Sequence, residues 1–152
     1  MHRPLLAILL SVLLAGSLAG CGPGFQLVSP RVDQDLADEL SERVYPDESE
    51  RGEPLDMLIT TRRNMLTIHN RTPHAYEDVE VWLNREHVHA FERIEIGSNP
   101  RLRLADFINE YGEPFPTAGF FTPDAGQRLV LAELYNPDSG QRHHLLVELE
   151  EE

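Results

Sequence analysis

The 152-residue chain contains no lysine; all 13 of its basic residues are arginine. That removes Schiff-base chemistry and the lysine of a phosphate-binding loop. Positive charge is scarce overall, since 26 acidic residues bring the net charge to −13. A chain this acidic is repelled by phosphate backbones, which counts against nucleic acid as a partner. Anionic lipid headgroups repel it too, so attachment to a membrane has to come from something other than basic charge. Cysteine is confined to Cys21, which allows neither an internal disulfide nor a Cys-x-x-Cys zinc site. There is no Gly-x-Ser-x-Gly elbow for a serine nucleophile and no EF-hand loop. The apolar run at the amino terminus falls short of the roughly 20 residues that a membrane span needs.

That run is nonetheless the most informative stretch. Arg3 supplies a short positive start, residues 5–14 are uncharged and, but for Ser11, apolar, and the small residues Ala15, Gly16, Ser17, Ala19 and Gly20 follow. This is the layout of an export signal. The lone thiol of Cys21 lies at its end, in Leu18-Ala19-Gly20-Cys21.

Those four residues resemble the lipobox of bacterial lipoproteins. The resemblance implies that the Cys21 thiol takes a diacylglyceryl group, that a dedicated peptidase cuts after Gly20, and that the new amino terminus is acylated in many bacteria. An ordinary secretory signal with an incidental cysteine is the alternative. Each buried methylene contributes about 0.8 kcal/mol, and stable anchoring takes more than one chain, a condition that a diacyl or triacyl cysteine meets. Gly22, not aspartate, follows the cysteine. In enterobacteria that pattern implies sorting to the outer membrane.

Residues 1–20 thus read as a signal peptide and residues 21–54 as a tether. The tether carries Pro23, Pro30, Pro46 and Pro54 and the acidic stretch PDESERGEP. Such composition buries too little apolar surface to offset chain ordering. Within it, Val32, Leu36, Leu40 and Val44 recur every four residues, with Asp33 or Asp35 placed to cap a short helix. A helix this short is marginal in water unless it docks.

From residue 55 to residue 152 the pattern is short alternating segments, among them LDMLIT, NMLTIH, EDVEVWL, EHVHAF, RLRL, RLVLAELY and RHHLLVEL. Turn residues punctuate them. The expectation is an all-β fold, an antiparallel immunoglobulin-like β-sandwich. The order of these segments resembles that of small uncharacterised bacterial lipoproteins with one β-sandwich domain, a likeness that carries no activity with it.

In EVWLNREHVHA a two-residue turn at Asn84-Arg85 sets Trp82 opposite His87 and Glu80 opposite His89. Val79, Val81, Val88 and Ala90 then form the core face. His87 and His89 are alternate residues of one strand, so both imidazoles point the same way, with Glu80 as a third ligand for zinc or copper. On the alternative reading, Trp82 stacks on His87 and Glu80 pairs with His89 on a solvated face. Asn136-Pro137-Asp138-Ser139-Gly140 reads as a hairpin turn, with glycine in the left-handed region. Asn70-Arg71-Thr72 matches a glycosylation sequon. Tyr76, Trp82, Phe91, Phe120 and Phe121 are candidates for an exposed aromatic patch.

These features lead to two expectations. The first is a non-enzymatic protein of the bacterial cell envelope, lipid-anchored at Cys21 and needing no cofactor, that binds or assembles with another envelope protein. The second is a periplasmic metal-binding accessory protein using His87, His89 and Glu80.

Overall fold

The computed structural model describes residues 33–117 and 126–149. These belong to a compact unit spanning residues 31–152. The signal segment, Cys21, the first part of the expected tether and the Phe120-Phe121 pair lie outside the described residues.

The helix foreseen within the tether is α1, Gln34–Ser41. Asp33 caps it, its carboxylate accepting from the Asp35 amide at 3.1 Å. Ala37 and Leu40 are fully buried. The four-residue spacing does not carry on to Val44, which is 80% exposed because the helix ends at Ser41. Residues 33–54 therefore pack as part of the domain and do not form a free spacer.

Among the described residues nine strands follow: β1 (Glu50–Arg51), β2 (Met57–Arg62), β3 (Met65–Asn70), β4 (Tyr76–Leu83), β5 (His87–Ile94), β6 (Arg101–Arg103), β7 (Ala132–Asn136), β8 (Gln141–His144) and β9 (Leu146–Leu149). They form a five-stranded sheet in the order β1-β8-β7-β4-β5 and a four-stranded sheet in the order β6-β3-β2-β9. The fold is all-β in character, but the sheets are mixed. β1 runs parallel to β8 and β2 runs parallel to β9, contrary to the purely antiparallel expectation.

Both parallel pairs have one origin. The chain leaves the larger sheet after β1 and enters the smaller as β2; it does the same between β8 and β9, where Leu145 is buried. The two segments cross side by side, joined by Gly52 N–H to Arg142 O (2.9 Å) and Leu55 N–H to His144 O (3.0 Å). The crossing leaves no room for a side chain at residue 52. A Cβ on Gly52 would sit 2.2 Å from the His143 ring, whose Nδ1 lies 2.8 Å from Glu53 O.

The alternation in β2, β3, β4 and β7 directs Met57, Ile59, Leu66, Ile68, Val79, Val81, Leu83, Ala132 and Leu134 into one apolar cluster shared by the two sheets. Burying each large side chain of that kind contributes about 1.5–3 kcal/mol. Leu104, Phe107 and Phe115, from the segment after β6, complete the cluster. The sequon has a structural role instead. Asn70 is buried, its amide donating to His74 O (2.8 Å) and Glu95 O (3.0 Å) and its Oδ1 accepting from Thr72.

Candidate functional site

The β4–β5 hairpin carries the residues singled out for metal binding, and its register differs from the expected one. Asn84 and Arg85 do form the turn, both at positive φ (51° and 66°), and Glu86 N–H closes it on Leu83 O at 3.1 Å. Glu86 is then left over. Leu83 pairs with His87, Trp82 with Val88, Val81 with His89 and Glu80 with Ala90. One extra residue moves every β5 side chain to the opposite face.

The consequence is a correction. His87 and His89 share a face with Val79, Val81 and Leu83, whereas Glu80 lies on the other face with Trp82, Val88 and Ala90. The three proposed ligands do not converge. No group of three His, Cys, Asp or Glu side chains able to hold a metal ion occurs among the described residues. The solvated-face alternative fails with it. His87 is 3% exposed, edge-on to Phe115 at 5.1 Å, and its Nδ1 has no hydrogen-bond partner. His89 packs on Phe91 and Phe107, with Nδ1 3.0 Å from Asp106 O. Burial pushes both imidazoles below the ordinary histidine pKa. Glu86 and Glu113 oppose this at His87, and Asp106 opposes it at His89.

The outer face of the larger sheet holds what the sequence reading missed. Glu133 and Arg142 are buried there, next to Trp82 and Glu80. Tyr45, just past α1, closes over them. Its hydroxyl accepts from Arg142 Nη1 and donates to Glu133 Oε2 at 2.6 Å. The Arg142 guanidinium lies 4.9 Å from the centroid of the Tyr45 ring, and that ring meets Trp82 edge-on at 5.4 Å. Glu133 Oε1 is within ion-pair distance of Arg142 Nε (3.5 Å) and His144 Nε2 (3.3 Å), though neither contact has hydrogen-bond geometry. Burial, then the bond to Glu133, raises the Tyr45 hydroxyl pKa to about 12, so it stays a donor. Glu80 accepts from Trp82 Nε1 (2.9 Å) and Arg43 Nη1 (2.5 Å). Charges buried this deeply are tolerated only when paired.

Beside this network opens a cleft of about 460 Å³. Three separate segments build it: Arg43, Val44 and Tyr45 after α1; Trp82, Arg85 and Glu86 at the hairpin; and Asn109, Glu110, Tyr111 and Glu113 on the strap after β6. The strap is held along β5 by reciprocal bonds between Val88 and Ile108 (2.9 and 3.0 Å). Its bend is fixed by Asn109 Oδ1, which accepts from the Tyr111 and Glu113 amides. Of the expected aromatic patch, Trp82 is buried on the cleft floor, and Tyr76 and Phe91 pack against the core. The exposed aromatic at the cleft is Tyr111, at 77%.

Comparison of the chain with protein-family models, curated proteins and solved structures returned no match.

Proposed function

We propose that the chain is a non-enzymatic, lipid-anchored protein of the bacterial cell envelope, held to a membrane through Cys21, whose domain binds or assembles with another envelope protein. The observation that carries this reading is the sequence Leu18-Ala19-Gly20-Cys21 directly after a charged start and an apolar run. The absence of lysine and of a serine elbow supports the non-enzymatic part. The domain belongs to the same reading as a sandwich of the immunoglobulin type, supported by two sheets sharing one apolar cluster. A cleft assembled from three segments suits a binding module.

The test is metabolic. Cells making the full chain are labelled with radioactive palmitate and compared with cells making Cys21→Ser. Label on the native chain alone, with the protein in the membrane fraction, is the expected result. Equal label on both versions overturns the anchor.

A further inference from the structure

We propose that residues 33–46 form a hinged cover that lifts as a unit off the larger sheet while both sheets stay folded, so that access to the outer face is gated from within the chain. This goes beyond the anchoring reading and stands or falls separately from it.

The cover is held by little apolar surface. Ala37 and Leu40 are its fully buried residues, with Leu36 and Tyr45 partly buried beside them. The rest of the contact is polar. Arg43 pairs with Glu80 at 2.5 Å, the Tyr45 hydroxyl donates to Glu133 at 2.6 Å, and Arg142 donates to that hydroxyl and to Pro46 O at 3.3 Å. Water can replace each of these bonds, so breaking them together costs far less than uncovering an apolar core.

Closure is also imperfect. Among the described residues, four buried side-chain polar atoms lack a hydrogen-bond partner, and three of them belong to this one contact: Arg43 Nε, Glu133 Oε1 and Arg142 Nε. Buried groups left in this way favour a state in which water reaches them. The shared apolar cluster between the sheets contains no residue of the cover.

Both parts are furnished to exist apart. On the sheet, Glu80 keeps its bond from Trp82 Nε1 at 2.9 Å, and Glu133 keeps Arg142 and His144 within ion-pair distance. The cover keeps its Asp33 cap and its Arg43 to Glu39 pair at 3.2 Å. Motion stops at β1, which is paired with β8 and followed by the bond from Gly52 N–H to Arg142 O. The hinge therefore falls at residues 47–49. Arg43, Val44 and Tyr45 are also one wall of the cleft, so lifting the cover dismantles that wall and bares the Trp82 floor.

Hydrogen exchange read by mass spectrometry on the full chain tests this. Amides of α1 should exchange at least about tenfold faster than those of β2 to β4, and their exchange should respond only weakly to low urea, because little surface opens. Leu134→Ala weakens the core, which stays intact when the cover lifts. It should speed exchange in β2 to β4 and leave α1 unchanged. Leu40→Asp should release the cover outright. Residues 34–41 then lose protection, β2 and β3 keep theirs, and Trp82, the only tryptophan, becomes quenchable by acrylamide. One shared rate and urea response for α1 and β4 overturns the proposal, as does an α1 without protection in the native chain. Loss of protection throughout the sheets in Leu40→Asp, or a Trp82 that stays shielded there, overturns it too.

Discussion

The two faces of the larger sheet are buried by different physics. The inner face, with Val79, Val81, Leu83, Ala132 and Leu134, meets the second sheet, and these five residues are all apolar, with His87 and His89 of β5 beside them. The outer face, with Glu80, Trp82, Glu133 and Arg142, is just as buried, but beneath an eight-residue helix and one tyrosine. A second sheet offers a broad apolar partner. A short helix offers only Ala37 and Leu40, with Leu36 partly buried beside them. The outer face therefore depends on a few charged groups that satisfy one another. Stability on the inner face is spread over many contacts, whereas on the outer face it is concentrated in a few.

That contrast can be broken in order of effect. Arg142→Ala strands the Glu133 carboxylate in the interior and should cost about 3–5 kcal/mol in urea unfolding. Replacing both residues, Glu133→Leu with Arg142→Leu, should cost less than the single change, because no buried charge remains alone. A double variant worse than the single one would show that the pair contributes more than mutual compensation. On the inner face, Leu134→Ala should cost about 2–5 kcal/mol through lost burial and an unfilled cavity. No second substitution at a charged residue should rescue it.

The histidines sharpen the comparison along a pH axis. The folded pKa values of His87 and His89 are depressed by burial, so acid protonates the unfolded chain first. Unfolding free energy should be flat above the ordinary histidine pKa of about 6.5 and fall as pH drops from there through the folded values. Urea titrations across that range should show the fall, and His87→Phe should reduce it. The smallest effect belongs to the helix cap. Asp33→Ala should cost about 1 kcal/mol by freeing the Asp35 amide, and should loosen α1 over the outer face.

The strands were legible in the sequence, and their pairing was only partly so. LDMLIT, NMLTIH, EDVEVWL and RLVLAELY each send alternate apolar residues into the shared core, and β2, β3, β4 and β7 overlap them. The hairpin register was not legible. Asn84-Arg85 looks like a complete two-residue turn, and nothing in the composition of Glu86 marks it as the unpaired residue. That single residue carried His87 and His89 from the expected outer face to the inner one and separated them from Glu80. Parallel pairing of β1 with β8 and of β2 with β9 leaves no local signal, because alternation reports a face and not a neighbour. The burial of Glu133 and Arg142 was concealed for a related reason: each looks like a solvent-facing residue until α1 and Tyr45 cover it. The cleft draws on segments around residues 44, 85 and 111, which no spacing rule connects.

The crossing of residues 50–62 alongside residues 141–149 bears on the order of events during synthesis. The earliest strands of the domain have partners among its last. Until β8 and β9 have emerged from the ribosome, β2 lacks one of its neighbours and β1 has none. Pairings so distant in sequence also form slowly. A nascent polypeptide with this wiring cannot complete either sheet before residues 141–149 are available to pair.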